Sequence, residues 1–294
     1  MSPRFLLYCL ISLMVVMWAG NYIAAKIAFR EVPAVLVMSI RTMIAAVLMA
    51  PAYWRQFRRR TTPMKWPEFR LLALLGVVGI TMNQFFWVLG TSRTTVVHSS
   101  MIMATIPVWV LMMAGLMKLE RITWPKLLGM AIAIAGVATL QIFKPAKSAG
   151  SPTLLGDFFV MLSALMFSGL TAFGKRHRPE GGGIAVNAFA YFGGAIVLAP
   201  ALWWGGRTFD FSRVSWVAWA ALLYMAAISS VVCYLIYYYA LERISASRMA
   251  AVQYLQPVFA AIMAMVVLSE RLTSATVAAG AVILTGVFIT ERFG

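Results

Sequence analysis

Along the chain, long apolar runs alternate with short clusters of charged residues, proline and glycine. Ten runs are uncharged or nearly so: 5–29, 34–54, 69–89, 95–117, 125–143, 154–174, 184–204, 216–240, 249–268 and 275–290. Wound as helix, each is about long enough to cross a bilayer core of roughly 30 Å. The connections are short and leave no room for a separate soluble domain. The predicted fold is an all-α polytopic membrane protein with ten transmembrane helices. The first run stays uncharged from Phe5 to Ala25, longer than the apolar region of a cleavable signal, and is read as helix one.

The runs repeat. "ATIPVWVLMMAGLMKLERIT", starting at Ala104, aligns with "YLQPVFAAIMAMVVLSERLT", starting at Tyr254. Pro107 meets Pro257, and Glu120-Arg121 meets Glu270-Arg271. At the same offset Gly136 falls on Gly286, Trp87 on Tyr237 and Gly76 on Ala226. Nearer the N-terminus "WAGNYIAAK" aligns with "FSGLTAFGK", pairing Lys26 with Lys175, and Pro51 meets Pro200. The chain therefore reads as two five-helix units, 1–147 and 148–294. Five is odd, so the second unit enters the membrane from the opposite side and the repeats are inverted. Such halves suit alternating access. Pro107 and Pro257 then become candidate symmetric gates, since each removes a backbone hydrogen bond and tends to kink its helix; static bends that aid packing are the other reading. The Glu-Arg pairs are expected to satisfy helix ends at the membrane surface.

Charge changes the picture less than its size suggests. A net charge of +16 invites a nucleic-acid reading, but the basic residues sort by face. With ten spans, sixteen of the 25 fall on the side that carries both termini, among them Arg55, Arg58, Arg59, Arg60, Lys65 and Arg70. Positive charge stays inside, so both termini are expected in the cytoplasm, beside anionic lipid, with no nucleic acid as partner. A hydrophobic fraction of 62% against 12% charged makes lipid the solvent. Cys9 and Cys233 both fall inside spans, which rules out a disulfide framework or a four-ligand metal site; no metal and no cofactor are expected.

"WAGNYIAAK" in the first helix, a mid-helix proline ahead of "LERIT" or "SERLT", and a glycine-bearing fifth helix, twice over, resemble the EamA branch of the drug/metabolite transporter superfamily. The resemblance covers nearly the whole chain. It implies ten helices with both termini inside, alternating access, and export of small metabolites or amino acids. Helices one to four and six to nine would surround a central cavity, with five and ten at the periphery. Within that branch the chain is most similar to the YddG-type exporters of aromatic amino acids, which implies a bacterial inner membrane. "FSGL", where many members carry a tryptophan, departs from the pattern and puts ligand contacts on helix six in doubt.

All nine acidic residues lie in loops or near helix ends. Intramembrane carboxylates are the usual proton relays, so a facilitator is favoured over a proton-coupled antiporter. Arg41 is the basic residue at depth. It could contact a carboxylate on the cargo, but the favoured reading has it snorkel or bond to helix carbonyls. Lys26 and Lys175, at opposite faces, either snorkel or lock gates. The expected lining is aromatic and polarizable: Trp18 and Tyr22 on helix one; Met82, Asn83, Phe86 and Trp87 on helix three; His98 and Met101 on helix four; Phe167 on helix six; Tyr234 and Tyr238 on helix eight; Gln253 and Tyr254 on helix nine. Such walls favour an aromatic or bulky neutral side chain on a zwitterion. Trp87 and Tyr238 could instead belong to interfacial belts, His98 could be a helix-end hydrogen-bonding group, and Asn83 and Gln84 could bond between helices. Trp18 is the strongest single candidate, and Trp18→Ala is predicted to reduce transport without lowering abundance in the membrane.

A multidrug or cationic-metabolite exporter of the same fold is the nearest alternative. An enzyme is not expected: the chain holds two histidines, His98 and His177, no H-E-x-x-H and no G-x-S-x-G. A channel would need a charged ring or a filter-like repeat, and neither is present. Gly129, Gly136, Gly280 and Gly286 suit either close packing within the chain or a weak homodimer, so monomer and weak homodimer both stand.

Overall fold

A segment in lipid must satisfy its own backbone, which makes helices of the apolar runs. The computed structural model describes residues 3–60, 63–118, 123–142, 153–177, 181–244, 249, 255–270 and 272–292, and no strand occurs among them. The helices are α1 (Pro3–Phe29), α2 (Ala34–Arg58), α3 (Trp66–Thr91), α4 (Val96–Leu116), α5 (Trp124–Ile142), α6 (Leu154–His177), α7 (Gly182–Thr208), α8 (Trp216–Leu241), α9 (Leu255–Leu268) and α10 (Ser274–Arg292). Seven of them are long and apolar enough to cross a membrane; α5, α9 and α10 carry shorter apolar stretches. The ten crossings expected from the sequence are met in that number only in part, and 250–254, at the start of the ninth run, lie outside the described residues.

Contacts at the helix ends fix the directions. At one end of the bundle, Lys26 near the end of α1 donates to Thr94 O just past α3 at 2.5 Å. Thr94 Oγ1 donates to Asp157 Oδ1 in the first turn of α6 at 2.6 Å. Glu31, after α1, accepts from the Ser215 N–H and hydroxyl at 2.6 and 2.7 Å, at the start of α8. The same two bonds hold the Glu31 carboxyl below the usual carboxylate range. Glu270, past α9, accepts from the Val96 and Val97 N–H groups at 3.0 and 3.3 Å, capping α4. At the opposite end, Gln56 late in α2 donates to Gly181 O ahead of α7 at 2.9 Å. Arg176 late in α6 reaches Met117 O past α4 at 3.4 Å. Consequently α1 runs opposite to α6, α2 to α7, α3 to α8 and α4 to α9. α4 ends at Leu116 and α9 at Leu268, on opposite sides of the bundle.

Matched local irregularities accompany the matched directions. Leu74–Met82 in α3 and Met225–Val232 in α8 are wound as π-helix, with i→i+5 bonding. The widened turn frees backbone carbonyls for side chains of other helices. In α8, Ser229 O accepts from Trp18 Nε1 at 3.2 Å, Ser230 O accepts from the Tyr191 hydroxyl, and Met225 O accepts from Arg41 Nη2 at 3.4 Å. In α4 the helix breaks at Ala104 and Thr105, between Val96–Met103 and Ile106–Leu116. Pro107 lacks the N–H that would bond Met103 O, which accounts for the break. Pro257 sits near the start of the described part of α9, and the residues just before that helix lie outside the description.

The outer surface is apolar, as lipid requires. Trp203, Trp204 and Trp216 are exposed toward the Lys26 end, and Trp54, Trp66 and Trp124 toward the Lys175 end, forming two aromatic belts. Close approach inside the bundle uses glycine. A Cβ on Gly76 would stand 2.6 Å from Ala190 N of α7, and one on Gly286 would stand 2.4 Å from Ala133 N of α5. Gly136, Gly280 and Gly286 all face groups of this same chain, so they serve packing within the molecule.

Candidate substrate cavity

The described helices leave one small central cavity, of about 50 Å³, between α1, α2, α3, α4, α6, α8 and α9. It sits where two apolar clusters meet: Trp18, Ile106, Phe167 and Tyr234 belong to one, Tyr22 and Trp87 to the other. Polar groups intrude at that seam: Asn21, Arg41, Asn83, Gln84, Ser229 and Gln256. A few waters fit there. A ligand site holding a small molecule has roughly 300–1,000 Å³, so the helices must part before cargo can enter.

The aromatic side is tightly built. Trp18 meets Tyr234 edge-on at 5.5 Å and Phe167 at 5.8 Å between ring centroids, and Phe167 lies 5.0 Å from Tyr237. Across the seam Tyr22 lies edge-on to Trp87 at 5.0 Å. The polar side is a hydrogen-bonded chain between helices. Asn83 Nδ2 donates to Ser163 O and Oγ of α6 at 2.8 and 2.9 Å, and Asn83 Oδ1 accepts from Tyr234 at 3.0 Å. Gln84 Nε2 donates to Tyr191 of α7 at 3.0 Å. Ser230 Oγ accepts from Arg41 Nη2 at 2.8 Å, and its single proton has Gln84 Oε1 and Met225 O within reach. Burying these amides without partners would cost several kcal/mol each, roughly. Asn83 and Gln84 therefore bond between helices, as one sequence reading held, while also facing the cavity.

Six of the thirteen expected lining residues reach the cavity: Trp18, Tyr22, Asn83, Trp87, Phe167 and Tyr234. Five described ones do not. Met82 and Phe86 form an i,i+4 stripe beside the Asn83–Trp87 stripe, and Phe86 stacks on Phe159 at 6.0 Å. Met101 packs over Gly280 of α10. His98 is buried at the Lys26 end, with Nδ1 3.6 Å from Asp157 Oδ2. Tyr238 lies toward the Lys175 end, against Tyr237 and Gly183. Gln253 and Tyr254 lie outside the described residues. The carbonyl bonds of the two lysines run within each half. Lys26 bonds Thr94 O within its own half, and Lys175 bonds Leu241 O and Ile244 O at 2.6 and 2.8 Å within the other. Across the halves, the Lys26 end is joined by Glu270, Asp157 and Glu31.

Asn21, Met103, Ile106, Ser229 and Gln256 were missed by sequence reasoning. Asn21 could have been found, because an amide beside Trp18 and Tyr22 in an apolar helix needs a reason. Arg41 is the larger revision. It does bond a helix carbonyl, Met225 O at 3.4 Å, yet it does not snorkel: it is 2% exposed and lines the cavity. Among the described residues no acidic side chain lines it, and no set of three histidines, cysteines or acids is placed to hold a metal.

Comparison with known proteins places this geometry. The model of the EamA-like transporter family matches residues 5–141 and again 154–292. An uncharacterized transporter of Archaeoglobus fulgidus is 29% identical over 288 residues, covering 96% of each chain. A probable terminal-alkyne amino-acid exporter of Streptantibioticus cattleyicolor is 26% identical, over 95% of this chain and 91% of its own. A solved protein structure, 16% identical, superposes with a TM-score of 0.67 over 97% of this chain and 96% of that one, and shares the fold.

Proposed function

Because the chain belongs to the EamA-like transporter family, and is thus a multi-pass membrane transporter rather than an enzyme, we propose that it exports amino acids, aromatic or bulky neutral ones preferred, through this central cavity. The observation that carries the reading is the aromatic-walled cavity, with no carboxylate among its described lining residues, enclosed by helices that run in opposed pairs. The likeness to a probable amino-acid exporter supports the cargo class. Two inverted five-helix halves, 1–147 and 148–294, work by alternating access, with the break at Pro107 and its counterpart Pro257 as hinges. Lys26 and Lys175 anchor the helix ends that close each face. The Lys175 end, dense in Arg55, Arg58, Arg59, Arg60 and Lys65, faces the cytoplasm of a bacterial cell, as do both termini.

Purified protein in liposomes is expected to accelerate flux of labelled L-tryptophan with or without a pH gradient, and to move threonine and a cationic drug more slowly. No accelerated flux of any amino acid removes the cargo. Preferred flux of the cationic drug favours the multidrug alternative. Flux that needs the gradient removes the facilitator and returns attention to the buried His98–Asp157 pair at the Lys26 end.

Alternating access also predicts what loosens one face. The Glu270 carboxylate binds two N–H groups at the positive end of α4, across the halves. Glu270→Gln weakens these charge-assisted bonds by about 1.4 kcal/mol, a tenfold population shift. A cysteine placed at Ser229, with Cys9 and Cys233 replaced, is then expected to react about tenfold faster with an impermeant thiol reagent applied from the Lys26 side. Unchanged reactivity would remove Glu270 from the gate.

A further inference from the structure

Arg41 is a permanently charged side chain, 2% exposed, in the middle of an apolar bundle. Its Nη2 has Ser230 Oγ and Met225 O as acceptors, but Nε and Nη1 are buried with no hydrogen-bond partner among the described residues. No ion pair to a described carboxylate involves it; among the described residues its charge meets the Trp87 ring, 6.0 Å from the guanidinium carbon, and neutral oxygens. A guanidinium left this way is costly in a low-dielectric interior, because its lost hydration is not fully replaced. The cavity it borders gives a compensating anion a place to arrive.

We propose that Arg41 receives a carboxylate of the transported molecule. The assignment rests on the central-cavity transporter reading and narrows it: cargo carries a carboxylate, and organic cations without one are excluded. The anion would accept the N–H groups of Nε and Nη1 in charge-assisted hydrogen bonds. Two further atoms complete a zwitterion site. Asn21 Oδ1 and Ser229 Oγ belong to residues that border the same cavity, are buried, and have no hydrogen-bond partner among the described residues, so each can accept from an ammonium group. Trp18 and Phe167 then face the side chain. Neither oxygen is charged, so the amino group is tolerated while the carboxylate is required.

Competition against labelled L-tryptophan counterflow in liposomes tests this with the whole chain. 3-Indolepropionate keeps the carboxylate and lacks the ammonium; 3-indolepropionamide has the same shape without the charge; tryptamine keeps only the ammonium. The acid is expected to inhibit at a concentration at least tenfold lower than either the amide or the amine. Arg41→Gln is expected to erase that difference, and Arg41→Lys to preserve it in weaker form. Should Arg41→Gln fail to fold, the ranking of the three competitors on the natural protein still decides. Counterflow inhibited equally by acid and amide overturns the Arg41 assignment while leaving an amino-acid transporter. No counterflow at all overturns the cargo reading and this assignment with it.

Discussion

Trp18→Ala is expected to lower transport roughly thirtyfold, the effect of losing a buried aromatic anchor worth about 2 kcal/mol, and to destabilise the protein as well. The sequence suggested a loss of transport alone; the packing shows why the two effects travel together. Trp18 is 8% exposed and touches Phe167, Tyr234 and Tyr237. Deleting such a side chain leaves a void that costs about 3–5 kcal/mol. Ser229 O in the π segment of α8 also loses its indole donor. Trp18→Phe separates the contributions, since it keeps most of the packing and removes the N–H. Its stability cost should fall to about 1 kcal/mol while transport stays reduced. Counterflow per folded molecule, alongside thermal unfolding in detergent, reads both. Transport by Trp18→Ala at the natural rate would take Trp18 out of the cargo path.

What could be read beforehand was what repeats or alternates. Apolar runs located the helices because lipid permits little else, and the repeat paired Gly136 with Gly286 at an offset of 150 and Lys26 with Lys175 at 149. The expectation that the Glu-Arg pairs serve helix ends holds for Glu270, though the helix it caps lies 174 residues earlier. The features that escaped share a cause: they depend on partners distant in sequence. Arg41 read as a residue that snorkels or bonds helix carbonyls; the second holds, but the cavity it lines was not legible because its acceptors, Met225 O and Ser230 Oγ, lie 184 and 189 residues away. The π segments left no mark that helical periodicity could detect, yet the one in α8 supplies the carbonyls that hold Trp18, Tyr191 and Arg41. Met82 and Phe86 were grouped with Asn83 and Trp87 because a stripe at helical spacing does not say which of two neighbouring stripes faces inward. His98 and Met101 share a helix with cavity residues Met103 and Ile106 but point to α6 and α10.

Gly286→Leu is expected to destabilise the protein by about 3 kcal/mol, the upper end for overpacking, because the obstacle is backbone. A Cβ at Gly286 meets Ala133 N at 2.4 Å and Gly129 O at 2.6 Å; one at the matched Gly136 meets Ile283 N at 2.8 Å. Neither neighbour can yield by rotating a side chain, so α5 and α10 must separate. Once one substitution has parted them the other has less to disturb, and Gly136→Leu with Gly286→Leu should cost clearly less than the sum of the two. Thermal unfolding in detergent of the two single variants and the double variant measures this; strict additivity, or an unchanged midpoint for Gly286→Leu, would show that the helices do not depend on this contact. The effect on transport should be different in kind. α5 and α10 touch the remaining bundle mainly through α4, where Ala104, Val108 and Leu111 pack against Met130, Ala133, Ala279 and Ile283. Neither supplies a side chain to the cavity. A Gly286→Leu protein that unfolds early, yet keeps its preference for a carboxylate while folded, puts the α5–α10 pair outside the transport path as a rail for the moving helices. A changed preference would instead mean that the spacing of this pair sets the shape of the cavity through α4.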